Sequence, residues 1–241
     1  MSPLASDALV EAWQDCHGRT RSEVAVRLLQ IADPGGERRL ARLTIGERDH
    51  ALLELRALVV GDDFELCATC PSCGEQLELN ASKEELARAF ATTDGPYELV
   101  VEPYVVCFRL PSSVDLVAVM DEPTAVERRA ALWRRCVTCT REDAESDLVD
   151  IPDEVVERVE ESMHDLDAQA VAEMELTCPI CSHDWSAEFD IVPVLWAEVN
   201  ELVQRHLQDV HRLAMAYGWD ESHLLSMNPR RRQFYLDQLQ G

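Results

Sequence analysis

Hydrophobic positions in the first third of the chain recur with the period of an α-helix. The segment EVAVRLLQI, residues 23–31, has this spacing and ends before DPGG, which is a turn signal. A second helix is predicted within LTIGERDHALLELRALVVG, where Thr44 and Glu47 form a capping box and Gly61 is a C-terminal stop. The predicted apolar stripe of this helix consists of Leu52, Leu55, Leu58 and Val59.

The period then changes to that of a β-strand. The segments FELCATC and EQLELN alternate on either side of a turn, so residues 64–80 predict a β-hairpin with cysteines at its tip. The segment MELTCPICSHDWSAEFDI, residues 174–191, repeats this arrangement. Between the two, residues 97–111, YELVVEPYVVCFRLP, predict more strand, with Pro103 at a bulge or an edge.

The remaining segments predict helices. SKEELARAFA predicts a short one, and the pattern from Asp115 to Ala172 is helical apart from REDAESDLVDIPDE, an acidic stretch predicted to be an exposed loop. A last helix begins with Asn228 as N-cap and Pro229 at its first position. Before it, a long amphipathic helix beyond Pro193 carries Leu195, Val199, Leu202, His206 and Val210.

These patterns predict an α+β fold that is mainly helical. Residues 1–63 form an N-terminal helical part, and residues 192–241 form a C-terminal helical part. The hairpins at 64–80 and 174–191 form one composite unit, and residues 81–173 are an insertion of strands and helices between them.

The charge of the chain narrows the classes of partner. The 241 residues include 46 Asp and Glu but only 22 Lys and Arg, which gives a net charge of −24. Such a chain repels nucleic acid and anionic lipid, because binding either requires cations that neutralise phosphates. A partner with a basic surface is favoured. We find no signal peptide and no membrane-spanning segment, so we expect a cytoplasmic protein.

Nine cysteines in a cytoplasmic chain indicate metal or redox chemistry rather than disulfides. Two CxxC turns, Cys70 with Cys73 and Cys178 with Cys181, each follow a predicted strand, and each supplies two of the four thiolates that a structural Zn²⁺ binds. We therefore predict one zinc site built from both turns, across a gap of 104 residues. A redox dithiol or a disulfide within each CxxC is the less favoured alternative, and His183 could in principle replace Cys181.

The other cysteines are interpreted as packing residues. Cys67 is predicted to be a small buried residue on its strand, with a role as alternative ligand left open. Cys136 and Cys139 form a third CxxC, but this one lies in a helical pattern. We interpret one of its cysteines as a core residue and the other as a residue with no role in metal binding. Cys16 and Cys107 are simple packing residues.

No catalytic motif is recognisable. The seven histidines are scattered, and the nine glycines leave little material for a phosphate-binding loop, so we expect no enzymatic activity and no small-molecule substrate.

A basic cluster, Arg230, Arg231 and Arg232, follows the last N-cap, where cations oppose the helix macrodipole. Two interpretations stay open for it: salt bridges within this acidic chain, or contact with a partner.

Several segments together resemble one family. They are RLLQIADPG, LTIGERDHALLELRALVVGDDFE, CPSCGEQLEL, FRLPSSVDLVAV, LWRRCV, ELTCPICSHDW and AYGWDESHLLSMNPRRRQFYLDQL. In this order they resemble the baseplate hub assembly chaperones of T-even-like phages, which contractile phage-tail-like injection systems also encode. The chain departs from that pattern at Ser182, where the family has Gly, and in its extra Cys67 and Cys139.

The resemblance implies a non-enzymatic assembly chaperone or minor structural component of a baseplate hub, with hub or spike proteins as partners. It also implies that the zinc ligands are Cys70, Cys73, Cys178 and Cys181. The alternative function is a zinc-ribbon adaptor for another macromolecular complex, including nucleic acid, which the charge of −24 disfavours.

Overall fold

The computed structural model describes residues 6–90, 95–141, 144–145 and 151–239. The described residues form eleven α-helices, one short 3₁₀ helix (Ala168–Val171) and eight strands. The helices are α1 (Ser6–Cys16), α2 (Arg21–Leu29), α3 (Glu37–Leu40), α4 (Ile45–Val59), α5 (Lys83–Leu86), α6 (Ser113–Ala118), α7 (Ala125–Cys136), α8 (Asp153–Leu166), α9 (Ile191–Tyr217), α10 (Glu221–Ser226) and α11 (Pro229–Gln238). The strands are β1 (Asp63–Thr69), β2 (Gln76–Ser82), β3 (Tyr97–Val101), β4 (Tyr104–Phe108), β5 (Val137–Arg141), β6 (Ala144–Glu145), β7 (Ala172–Thr177) and β8 (Asp184–Phe189).

Helix α4 begins at the predicted capping box, in which the Thr44 side chain accepts from the Glu47 amide and the Glu47 carboxylate accepts from the Thr44 amide. Leu52 and Leu55 are buried as predicted, but Leu58 is 53% exposed, so its place in the apolar stripe was wrong. Six residues separate Leu58 from Leu52, which is a rotation of about 240° around the helix. The buried face is instead completed by polar residues, including Arg56.

The main hydrophobic core lies between α1, α2, α4 and α9; α9 contacts each of the other three, and α2 contacts both α1 and α4. Its centre includes side chains with no more than 2% exposure, among them Ala25, Leu28, Leu52, Leu53, Leu55, Ile191, Val192, Leu195, Val199 and Val203. Phe64 from β1 and Phe189 from β8 join this core, so both hairpins are anchored in the helical body at their bases.

Both predicted hairpins are confirmed. Strands β1 and β2 pair antiparallel with Cys67 opposite Glu78, and β7 and β8 pair antiparallel with Leu176 opposite Trp185. Each hairpin is a separate sheet of two strands, with its base packed in the core and its CxxC turn at the other end.

The segment between the hairpins contains a four-stranded antiparallel sheet in the order β3–β4–β5–β6. The helical pattern predicted from Asp115 to Ala172 is therefore wrong over β5, where Val137 and Cys139 alternate as buried residues with exposed Thr138. The sheet and helices α7 and α8 share a second hydrophobic cluster, which includes Phe108 and Val159.

Two local predictions in this segment have different outcomes. Pro103 lies in the turn between β3 and β4, at an edge of the sheet. The predicted acidic loop at 141–154 falls largely outside the described residues, but of those described, Arg141 ends β5, Ala144–Glu145 form β6, Ile151 is buried and Asp153 begins α8, so the loop prediction was wrong there.

A buried carboxylate fixes the segment that follows β4. Both oxygens of Asp115, whose side chain is 2% exposed, accept hydrogen bonds from the Arg109 guanidinium at 2.7 and 2.8 Å. Arg135 Nε donates at 3.0 Å, and Ser112 donates from its amide and its hydroxyl. Burial alone would raise the pKa of Asp115, but the hydrogen bonds from Arg109 and Ser112 hold it well below its usual range.

Gly46 allows the start of α4 to approach the end of α8. Its amide donates to Asp167 Oδ2 at 3.0 Å, and a Cβ at this position would lie 1.8 Å from Asp167 Oδ1. Any side chain here would therefore displace a buried carboxylate that connects the insertion to α4.

The C-terminal half of α9 packs with α10 and α11 in a third cluster, which includes Leu213, Leu224 and Leu236. The predicted N-cap of α11 is confirmed, because Asn228 Oδ1 accepts from the Arg230 amide at 3.0 Å. Among the described helices, none is both long and apolar enough to cross a membrane.

Candidate metal centre

The first CxxC lies in a tight turn between β1 and β2. The Cys70 amide donates to the Glu75 carbonyl at 2.8 Å, and the Gly74 amide donates back to the Cys70 carbonyl at 2.9 Å. Gly74 has φ +76°, the left-handed conformation that costs a side chain energy but costs glycine little. The turn thereby brings Cys70 and Cys73 to the same end of the hairpin.

The second CxxC reproduces this turn between β7 and β8. The Cys178 amide donates to the His183 carbonyl at 2.9 Å, and the Ser182 amide donates to the Cys178 carbonyl at 2.9 Å. Ser182 has φ +57°, so it adopts the same left-handed conformation as Gly74. The departure from glycine at this position therefore leaves the backbone of the turn unchanged.

The two turns meet. Cys70 Sγ lies 3.7 Å from Cys181 Sγ, and Cys73 Sγ lies 3.6 Å from Cys178 Sγ. All four sulfurs lie within 4.8 Å of one another, and no two of them are bonded. A metal bound tetrahedrally by sulfur at about 2.3 Å requires ligands about 3.8 Å apart, so this group has the dimensions of a four-thiolate metal site.

Each turn contributes one buried and one exposed ligand. Cys70 and Cys178 have 1% and 0% exposure, whereas Cys73 and Cys181 are exposed. The site therefore lies at the surface, with its inner half closed by protein.

The electrostatics of the four sulfurs favour a bound cation. The backbone amides of Cys181 and Ile180 point towards Cys178 and lower the pKa of its thiol to about 7. At Cys73 the Glu75 amide also lowers the pKa, but burial and the three neighbouring sulfurs outweigh it and raise the pKa to about 12. Four thiolates this close repel one another unless a metal ion neutralises them, and sulfur donors in a tetrahedron suit zinc or iron.

The chain matches the sequence profile of one known protein family. The sequence profile of the family described as T4 bacteriophage base plate protein matches residues 23–193, which is most of the chain. The chain belongs to this family. No curated protein and no solved structure matches it.

The extent of the baseplate family match bears on the site. It begins in α2 and ends at the start of α9, so it includes both hairpins and all four converging cysteines. Most of α9, together with α10 and α11, lies beyond it.

The remaining cysteines lie outside the four-sulfur group, as predicted, but Cys67 differs in burial. Cys67 is exposed, so its predicted burial was wrong. The side chains of β1 alternate, and with Phe64 facing the core, Cys67 falls on the opposite side together with Glu65. Cys136 and Cys139 are both buried in the second cluster, and Cys16 is buried, whereas Cys107 is partly exposed.

His183 is not a member of the four-sulfur group. Its ring lies parallel to that of Trp185, with 6.3 Å between centroids. Cys181 supplies the second sulfur of this turn.

Sequence reasoning missed the residue that fixes the base of the first hairpin. Arg56, which is 2% exposed, donates from Nε and Nη2 to both carboxylate oxygens of Glu198 on α9, at 3.0 and 2.7 Å. Its Nη1 donates to the carbonyls of Gly61 and Asp63, and its guanidinium lies 3.8 Å from the centroid of Phe64. One side chain thus connects α4, the start of β1 and α9.

Proposed function

We propose that this chain is a non-enzymatic assembly chaperone or minor structural component of the baseplate hub of a contractile phage tail or phage-tail-like injection system. The observation that carries the proposal is the baseplate family match over residues 23–193. The resemblance of the separate segments to hub assembly chaperones supports the hub as the place of action.

We assign a structural zinc ion to the four cysteines, which makes the two hairpins one composite zinc ribbon. The S···S distances of 3.6 and 3.7 Å between the hairpins support this assignment. Each hairpin supplies two ligands, so the ion would connect the N-terminal helices to α9 through both hairpin tips. The bases of the hairpins are already packed in the core, so the ion would add rigidity to an existing contact.

The ligand set supports a role without catalysis. Catalytic zinc sites keep one position open for water or substrate, whereas four cysteine thiolates complete the tetrahedron. We therefore propose that the ion shapes a surface and that no reaction takes place at it.

The charge of −24 supports a basic or apolar surface as the binding partner. We propose that the partner is a hub or spike protein of the same baseplate, held until it is incorporated. An adaptor that binds nucleic acid is disfavoured by the same charge, and a gel-shift assay at physiological salt distinguishes the two.

The test is co-expression of this chain with the hub and spike proteins of the baseplate encoded in the same genome. We expect at least one of them to co-elute with the chain through affinity and size-exclusion chromatography. If none binds, and particles assemble normally in a deletion strain, the proposal is wrong.

The same deletion strain separates the two forms of the proposal. A chaperone is required for assembly but absent from purified particles, whereas a structural component is detected in them by mass spectrometry. The Cys70→Ser, Cys178→Ser double variant then shows whether the hairpin tips contribute to either role.

A further inference from the structure

Charge is distributed unevenly along the chain. Residues 202–241 contain five arginines and four carboxylate side chains, a net charge of +1, so residues 1–201 carry the remaining −25. The end of α9, α10 and α11 are therefore a locally non-acidic region on a strongly acidic protein. The baseplate family match ends before this region, at residue 193.

Four aromatic rings form a continuous chain in this region. Tyr217 stacks on Trp219 with 4.7 Å between centroids, and Tyr235 meets Trp219 edge-on at 4.9 Å. Phe234 continues the series, with its ring 5.5 Å from that of Tyr235. Phe234 is 58% exposed and Tyr217 is 37% exposed, so the rings form a surface patch at the edge of the third hydrophobic cluster.

Two exposed arginines lie beside these rings on α11. Arg230 precedes Phe234 by four residues, and Arg231 precedes Tyr235 by four, so each pair shares one side of the helix. The Arg231 guanidinium lies 5.8 Å from the Tyr235 centroid. Neither Arg230 nor Arg231 forms an ion pair with a residue in the described ranges, although carboxylates are abundant in this chain.

The position of these arginines works against the helix that carries them. They lie in the first turn of α11, where the macrodipole is positive. Arg232 differs from them, since its side chain is buried and donates to the Leu224 carbonyl. Internal salt bridges, one of the two interpretations of the cluster, therefore do not account for Arg230 and Arg231.

We propose that Tyr217, Trp219, Arg230, Arg231, Phe234 and Tyr235, here called the C-terminal patch, bind a protein segment that presents carboxylates beside apolar side chains. Exposed tyrosine, tryptophan and arginine are the side chains that dominate binding energy at protein interfaces. The arginines select carboxylates, and the rings supply apolar contact area. Since it names the surface that contacts a baseplate partner, this inference rests on the proposed function.

A nucleic-acid strand is the rival occupant, because arginine and aromatic side chains also bind stacked bases. Such binding requires several phosphates to be neutralised, and here the patch offers two exposed arginines beside a body of charge −25. The charges therefore favour an acidic protein segment that is short enough to touch the patch alone.

The test uses a fluorescein-labelled amphipathic helical peptide of Glu and Leu, with a matched peptide of Lys and Leu and a labelled oligothymidine. Binding is measured by anisotropy at about 0.15 M salt, where the Debye length of about 8 Å screens the distant acidic residues. We expect the Glu peptide, and not oligothymidine, to bind at the patch, whereas the Lys peptide should bind the acidic body and should not lose affinity in the patch variants. The Arg230→Glu, Arg231→Glu variant should weaken binding of the Glu peptide about tenfold or more, and Phe234→Ala about fivefold.

The matched control is Arg38→Glu, Arg42→Glu, which changes the net charge equally at two exposed arginines outside the patch. Unchanged circular dichroism and a thermal midpoint no lower than that of wild type establish that each variant is folded; Arg230→Glu, Arg231→Glu should raise the midpoint slightly, because carboxylates in the first turn of α11 complement the macrodipole. The proposal is overturned if the Glu peptide does not bind at about 1 mM protein, if the patch variants weaken the binding of the Lys peptide or of oligothymidine as strongly as that of the Glu peptide, or if the control weakens binding of the Glu peptide equally.

The same variants separate this inference from the proposed function. If the Glu peptide binds at the patch but no hub or spike protein co-elutes, the proposed function is wrong, and the proposal that the patch binds an acidic segment is supported. If a hub or spike protein co-elutes equally with wild type and with both patch variants, the patch proposal fails and the function stands.

Discussion

The ring of Phe64 meets the ring of Phe189 edge-on, with 5.9 Å between their centroids and an angle of 85° between their planes. Phe64 lies at the start of β1 and Phe189 at the end of β8, so this contact joins the bases of the two hairpins whose tips hold the four cysteines. The hairpins thus meet at both ends, through aromatic packing at the core and through the close approach of the four sulfurs at the surface.

This contact predicts a measurable coupling between the two rings. Phe64→Ala and Phe189→Ala should each lower the free energy of unfolding by about 3–5 kcal/mol. In a double-mutant cycle measured by urea unfolding, the coupling should be about 0.5–1.5 kcal/mol. Phe234→Ala, at a ring that is 58% exposed, should cost less than about 0.5 kcal/mol. Strictly additive losses from Phe64 and Phe189 would show that the rings do not act together.

Arg56 predicts a difference between arginine and lysine at a buried site. Arg56→Lys keeps the charge but loses the planar group that reaches Glu198, two carbonyls and the Phe64 ring, so we expect a loss of about 2–3 kcal/mol in unfolding free energy. Arg129→Lys is the matched control, because Arg129 donates to Glu160 in an exposed pair at 2.7 Å. It should change stability by less than about 0.5 kcal/mol. Equal effects of the two substitutions would refute the role given to Arg56.

The two CxxC turns predict opposite effects of matched substitutions. Ser182→Gly should stabilise the protein by about 0.5–1 kcal/mol, because glycine adopts a φ of +57° without the steric cost that serine incurs. Gly74→Ala should destabilise it by about 1 kcal/mol, even though a Cβ there would meet no atom within 4 Å. Gly35→Ala, equally unobstructed but without a positive φ, should have no such cost. Urea unfolding measures these free energies. If Ser182→Gly destabilises the protein, Ser182 does not adopt the left-handed conformation described here.

Asp115 predicts a pH dependence whose sign is fixed by its lowered pKa. A carboxyl group whose pKa is lower in the folded than in the unfolded chain stabilises the fold above its unfolded pKa of about 3.9, and this contribution is lost as the pH falls below that value. Asp115→Asn should therefore cost about 2 kcal/mol at pH 7, and the difference from wild type should shrink between about pH 4 and pH 3. Urea unfolding at several pH values measures it. A difference that stays constant down to pH 3 would mean that Asp115 is not held ionised by its partners.

The sequence predicted the parts of the fold that are encoded locally. The capping box at Thr44, the two hairpins and the N-cap at Asn228 each depend on residues only a few positions apart. The convergence of the cysteines spans 104 residues, and it could be predicted because the two CxxC turns are alike. The exposure of Cys67 could have been predicted from the alternation of side chains along β1. Cys67 is three residues from Phe64, so the two side chains point to opposite faces of the strand.

The interactions that the sequence did not reveal are those whose partners lie far away along the chain. Arg56 lies 142 residues from Glu198, and nothing near either residue indicates that they pair. Because charged side chains are seldom buried unless they are paired, the buried face of α4 could not be recognised from hydrophobicity alone. Strand β5 was missed because it is five residues long and directly follows α7.

The central claim, that Cys70, Cys73, Cys178 and Cys181 bind one structural zinc ion, is tested most directly by metal analysis of the purified protein. By inductively coupled plasma mass spectrometry we expect about one zinc per chain. This content should be lost in the Cys70→Ser, Cys178→Ser variant and kept in Cys67→Ser. Protein that is folded but free of metal, or that contains iron in place of zinc, or zinc that persists in the double variant, would contradict the account.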